Sequence, residues 1–358
     1  LSGANAPWSH NLTYRCSFWW DANAYLSPRA VFDHELRGLL RAFKKVQRDQ
    51  AFAYTVATAG LGTRGGRAAI LDYLKTIDRL CQQIVYRHRG NVKLTLLADH
   101  GHNLTPNRRI SFKRLLRQMG YHLATTIKGP ADVVVIEYGL VTYAAIYTDD
   151  PAGVADVVLD HPAVDLVTYP QDRDIVVRDR TGQARIRKIG SRYRYDIDRG
   201  DPLRLKPVLA QLASQGKVSP DGLIDDRALF QATIEHIYPD PLARIWLAFH
   251  GLVKHPPDLI VSLRDGYCHG SKLFDFVIGG SASTHGSLNR INSTTFVMTT
   301  LGPLPPALRP GDVLPTLDRL RRAGPDQATS IRTAATPSGR VSTAPTSKEL
   351  CSPGLQQR

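Results

Sequence analysis

The sequence predicts an α/β protein in which helices layer against a sheet, and three observations carry that expectation. Helical apolar spacing and short β-rich runs alternate through the first part of the chain, the order that builds a sheet covered by helices. From Ala163 to Asp196 the pattern changes to short alternating runs, "VDLVTYP", "DIVVRD", "ARIRKI" and "YRYDI", with Thr181 and Gly182 as a hairpin-type turn. Helical spacing then returns and gives way to another β-rich run, "DLIVSL". The expected organisation is an incomplete N-terminal part of the α/β domain over 1–162, an antiparallel insertion over 163–200, the C-terminal part over 201–322 and a disordered tail over 323–358.

The elements follow from local signals. Ser27 and Pro28 supply an N-cap and a first-turn proline, and Val31, Phe32, Leu36, Leu39, Leu40, Phe43 and Val46 then recur at helical spacing. A second helix is expected from Arg67 to about His88, with Ile70, Leu71, Leu74, Ile77, Cys81, Ile84 and Val85 on one face. "VKLTLLAD" reads as a buried strand between glycine-bounded turns, "RISFKRLLRQMGY" as a helix and "ADVVVIEYGLVTYAAIYT" as one or two strands. Helices are expected over "LRLKPVLAQLASQG", "RALFQATIEHIY" and "ARIWLAFHGLV", loops over "RDGYCHGS" and "GGSASTHGSLNRINS", a strand over "TTFVMTT" and a closing helix over "GDVLPTLDRL". Beyond Ala323, Ser, Thr, Pro, Gly and Arg dominate and periodicity vanishes.

Composition narrows the function classes. At 358 residues with 42% hydrophobic and 22% charged content, the chain is ordinary for a globular protein, and no apolar run approaches the ~20 residues of a membrane span. The net charge of +14 is dispersed, and residues 321–358 carry six Lys or Arg against two acids. Without a dense basic block or a nucleic-acid motif, this charge reads as a solvated surface rather than a nucleic-acid site, and it would also suit a small anionic substrate. The four cysteines, Cys16, Cys81, Cys268 and Cys351, form no CxxC pair, which fits neither a zinc knuckle nor a disulfide framework. The chain opens on Leu1 with no signal-peptide pattern behind it, so the natural N-terminus is expected to lie further upstream or to have been processed.

Two places concentrate the chemistry. In "LTLLADHGHN", Leu94–Asn103, an apolar strand runs straight into an acid and two histidines. Binding sites of open α/β sheets lie at the carboxyl ends of strands, and Asp99 and His100 there can turn toward one ion, Zn²⁺ accepting mixed N/O ligands. Gly101 is expected to permit the tight turn, and His102 to stand beside the ligands. A polar turn closing a buried strand is the competing reading. Downstream, Thr284-His285-Gly286 lies in the polar loop before "TTFVMTT". A lone histidine in a loop means little, but the ordered pair means more.

That ordered set resembles the alkaline phosphatase superfamily, in particular its type I phosphodiesterase and nucleotide pyrophosphatase branch. The matching elements are Asp99-His100, His285-Gly286, Leu301-Gly302-Pro303 and the run Asp312-Val313-Leu314-Pro315-Thr316-Leu317, spread over roughly Tyr54 to Leu320. The resemblance implies an alkaline phosphatase-like layered α/β/α sheet and hydrolysis of phosphoric esters. It implies divalent metal, Zn²⁺ first and Mn²⁺ second, with Asp99 and His100 on one ion and His285 on the other. His102, Asn103, Thr284, Asp265 and Tyr267 would line the pocket, with His269 nearby.

The chain departs from the family in two places. Ala59 and Thr63 stand where a metal-binding Asp and His belong, and residues 51–69 contain no Asp, Glu or His, which leaves the second metal position with His285 alone. Asp21, Ser9 and Thr13 sit in no context that matches the family's first Asp and nucleophile, so no nucleophile is assigned. The chain therefore reads as an N-terminally truncated or degenerate member. The alternative is a non-catalytic relative that keeps the fold.

Overall fold

The computed structural model describes residues 12–44, 50–251 and 253–323. The chain divides into two compact units, Leu1–Met298 and Thr299–Arg358.

The first unit begins with three helices: α1 (Phe18–Asn23), α2 (Pro28–Lys44) and α3 (Ala57–Arg87). The expected apolar stripe of α2 buries Val31, Phe32 and Leu39, against Ala57, Leu61, Leu80 and Ile84 of α3; Val46 lies outside the described residues. Helix α3 starts ten positions before Arg67, where a run of small residues gives no apolar period to read. Gly66, at φ 56° and ψ −147°, kinks it, a conformation that costs a residue with a Cβ. Glu35, fully buried, holds the junction, its two carboxylate oxygens accepting from the Val56 N–H at 2.8 Å and the Ala57 N–H at 3.2 Å.

The chain then lays down β1 (Thr95–Leu97), β2 (Arg108–Ile110), α4 (Phe112–Gln118), β3 (His122–Leu123), β4 (Asp132–Val135), β5 (Leu140–Val141), β6 (Tyr143–Thr148), α5 (Pro151–Leu159), β7 (Val164–Gln171), β8 (Asp174–Arg178), β9 (Gln183–Ile189) and β10 (Arg192–Arg199). It continues with α6 (Lys206–Ser214), β11 (Ile224–Asp225), α7 (Asp226–Thr233), α8 (Pro241–His250), β12 (Leu259–Leu263), β13 (Tyr267–Gly270), α9 (Lys272–Ile278), α10 (Arg290–Ser293) and β14 (Val297–Thr299). "RISFKRLLRQMGY" thus opens as a strand, and "RDGYCHGS" contains β13 rather than being all loop.

A nine-stranded sheet of order β11-β10-β9-β8-β7-β12-β6-β4-β3 organises the unit. Its pairs are antiparallel except β3 with β4. The fold is mixed α/β. Strands β7–β10, expected as a separate antiparallel insertion over 163–200, continue this sheet, because β12 pairs with β6 on one side and β7 on the other. Alternation along β8 sends Val176 into one apolar cluster and Ile175 and Val177 into a second. The first cluster includes Phe112 and Leu116 of α4 and Val154 and Val158 of α5. The second includes Leu212 of α6, Leu229 of α7, and Leu242, Ile245 and Phe249 of α8. A smaller sheet, β2-β13-β5, sets His269 between Ile110 and Val141. Among the described residues no helix is long and apolar enough to cross a membrane.

In the second unit, Pro310–Ala323 forms α11, the expected closing helix, with Pro315 inside it and Thr316 buried. The expected disordered tail falls outside the described residues from 324 onward.

Burial raises the Glu35 carboxyl from 4.5 to about 7, against the lowering effect of its two backbone donors. A group whose folded pKa is raised contributes stability that is present below its unfolded value and lost as pH rises through the folded one. Chemical denaturation of the parent should therefore show a loss on the order of 3 kcal/mol from this group between pH 4.5 and 7. Glu35→Gln gives up one acceptor at every pH but should remove this component of the slope.

Candidate metal centre

The centre is assembled by two polar segments that hold each other through hydrogen bonds. The Asn103 N–H donates to the Thr284 carbonyl at 2.8 Å, and the Thr284 N–H donates to Asn103 Oδ1 at 3.0 Å. Both residues are buried. Thr284 Oγ1 donates to the Leu140 carbonyl at 2.7 Å, and the Thr142 N–H donates to the His285 carbonyl at 2.8 Å. The start of the loop hangs from α3, where the Thr63 carbonyl accepts from the Ala282 N–H at 2.8 Å.

The other segment leaves β1 through a bend at Asp99. The Ala98 N–H donates to the Phe296 carbonyl at 3.2 Å and the Gly101 N–H to the Asn292 carbonyl at 3.1 Å. Gly101 is needed for a reason other than a turn: a Cβ there would lie 2.2 Å from the Ile291 carbonyl oxygen and 2.6 Å from that of Thr294. The glycine lets two backbones touch.

These contacts bring three imidazoles together. The rings of His100 and His285 stack with centroids 3.7 Å apart, and His102 lies 5.7 Å from His100 and 5.2 Å from His285. One ligating nitrogen from each of the three lies within 4.8 Å of the other two. His100 Nδ1 is 3.0 Å from the Gly101 carbonyl; a carbonyl only accepts, so Nδ1 bears a proton and Nε2 is the nitrogen left for a metal. His102 Nδ1 is 3.2 Å from Ser283 Oγ, a hydroxyl that also accepts from the Leu104 N–H at 3.1 Å.

Burial holds the His285 imidazole down at about 3, with His100 and His102 adding to the effect. Burial likewise takes His102 to about 4, aided by His100 and opposed by Asp99. Both rings are neutral at physiological pH, the state in which imidazole binds a metal.

Asp99 is exposed and is not a member of the trio; its Oδ2 lies 3.6 Å from His100 Nε2. Burial raises the Tyr25 phenol and pushes that of Tyr54 up to about 12, and the Asp99 charge adds to both. Of the other pocket candidates, Asn103 and Thr284 form the clamp. Asp265 accepts from Asn289 at 3.0 Å and from Asn292 at 3.2 Å, so it braces the segment that holds Gly101. Tyr267 packs against the apolar cluster around Ile110, and His269 is buried with Nε2 3.1 Å from the Ile136 carbonyl. Leu301–Pro303 and the run Asp312–Leu317 belong to the second unit. Ser283, Thr142 and Asn292, which the sequence does not single out, complete the support.

A second grouping of Cys16, Asp21 and Glu35 lies near the helical junction. There the Glu35 oxygens already accept from the start of α3, and Tyr14 Oη donates to Cys16 Sγ at 3.9 Å.

Compared with known proteins, the chain matches no family model, no curated protein and no solved structure.

Gly101→Ala should lower the stability of the chain by about 1–3 kcal/mol in chemical denaturation, the range for an overpacked site. Gly129→Ala is the control: its Cβ meets nothing within 4 Å, and its denaturation curve should overlay the parent's.

Proposed function

We propose that the chain is a metal-dependent hydrolase of phosphoric esters that holds a divalent ion, zinc before manganese, at His100 and His285. The observation that carries this reading is the meeting of imidazoles from segments far apart in the chain, with a ligating nitrogen of His100 within 4.8 Å of one of His285. The donor set fits: nitrogen ligands with free lone pairs, beside a carboxylate, are what Zn²⁺ selects. When bound, the ion would neutralise phosphoryl oxygens and make a water a stronger nucleophile.

The chain's own groups have separable roles in this reading. His100, with Nδ1 pinned by the Gly101 carbonyl, and His285, anchored through its backbone to Thr142, supply the nitrogens. Asp99, exposed beside His100 Nε2, is placed to complete the ion's surroundings or to take a proton from water. The net charge of +14 draws anionic esters toward the surface. No side chain is assigned as nucleophile.

The fold proposed with this function is the alkaline phosphatase-like layered sheet, in its phosphodiesterase and nucleotide pyrophosphatase branch. Helices in both apolar clusters of the nine-stranded sheet support it; Asp99 and His100 follow β1, which pairs with β14 in a separate two-stranded sheet. The first turns of α3 favour a second reading, a non-catalytic relative. Ala59 and the buried Thr63 offer no metal-binding side chain there.

The test is hydrolysis of bis(p-nitrophenyl) phosphate and p-nitrophenyl phosphate by the full chain with Zn²⁺ or Mn²⁺. Turnover should disappear with chelator, return with the ion, and fall at least about 100-fold in His285→Ala. Bound metal without turnover would favour the non-catalytic reading; a chain that binds no metal would overturn the hydrolase.

A further inference from the structure

We infer that His102 is a metal ligand, and that His100, His102 and His285 together hold one ion in a single three-histidine site. The inference rests on the metal reading above, adds His102 to its ion, and departs from the two-ion arrangement that the sequence resemblance implies.

The backbone sets up the first two ligands. Residues 100–103 lie outside any helix or strand, and they bring the His100 and His102 rings to within 5.7 Å of each other while Gly101, between them, meets the Ile291 and Thr294 carbonyls. The clamp of Asn103 on Thr284 then carries His285 to the same place.

The geometry accommodates one ion. Nitrogens around a tetrahedral zinc, with bonds of about 2.0–2.1 Å, stand about 3.4 Å apart. The three nitrogens lie within 4.8 Å of one another, and closing the set requires the stacked His100 and His285 rings to turn so that their in-plane lone pairs meet. Three imidazoles leave a fourth position open, and Asp99, 3.6 Å from His100 Nε2, borders that space. An open fourth position marks catalytic rather than structural zinc.

His102 has the support of a ligand. Ser283 Oγ meets its Nδ1 at 3.2 Å, and bonds to the non-coordinating nitrogen orient metal-bound imidazoles. Helix α3 makes room for the ring at a glycine: a Cβ on Gly62 would stand 3.2 Å from His102 Cε1. The same helix start supplies no competing ligand, since residues 51–69 contain no Asp, Glu or His. A second ion would have to draw on side chains that are absent from that wall.

The experiment is a Zn²⁺ titration of the full chain against a chromophoric chelator, with metal content measured after dialysis and folding checked by circular dichroism. One equivalent per chain is expected, with Kd weakened at least about 100-fold in His102→Ala, as in His100→Ala and His285→Ala, and about 10-fold in Ser283→Ala. His102→Gln keeps a hydrogen-bonding group for Ser283 but has no imidazole, so a folded His102→Gln must show the same loss. Parent-like affinity in a folded His102→Gln would overturn the inference while leaving the metal reading intact, and so would two tightly bound equivalents. No zinc bound by the parent would overturn both.

Discussion

The clamp between Asn103 and Thr284 is the constraint on which the histidine cluster depends. Its two hydrogen bonds, at 2.8 and 3.0 Å, are made between buried groups, so breaking one strands a polar group away from water. Asn103 Nδ2 is itself held by Asn107 Oδ1 at 2.6 Å, which fixes the orientation of the amide that Thr284 needs. Everything downstream is register: once Thr284 is placed, His285 follows one residue later, with its carbonyl tied to Thr142.

The cluster also illustrates why three basic side chains can be packed in one place. Charged imidazoles stacked at 3.7 Å would repel strongly in a partly buried site. Burial and mutual repulsion act in the same direction on His102 and His285, and the site resolves both by keeping these rings uncharged. The uncharged rings can then sit together with one ligating nitrogen from each within 4.8 Å of the others.

Much of this was legible in the sequence, and the limits have physical causes. The helical stripe of α2 and the α/β character could be read because periodic burial leaves a periodic pattern. Asp99, His100 and His285 stood out by residue type. The role of Gly101 did not: a glycine at a backbone contact and a glycine at a turn look alike until the neighbour is known. Ser283 and Thr142 act through hydrogen bonds to residues far away in the chain, and a run of small polar residues carries no mark of that use. The continuity of β7–β10 with the main sheet was hidden because β12, the strand that joins them to β6, comes about sixty residues after β10.

That late strand has a consequence for how the molecule is made. Until Leu259–Leu263 emerges from the ribosome, β6 and β7 each present an open edge. The two halves cannot hydrogen-bond into one sheet before then, and the pairing that unites them closes long loops. The same short stretch of synthesis soon delivers Ser283, Thr284 and His285. Closing of the scaffold and arrival of the last imidazole are therefore nearly one event in the life of the nascent chain. Until that moment, the half-built sheet is the species most exposed to aggregation and most in need of a chaperone.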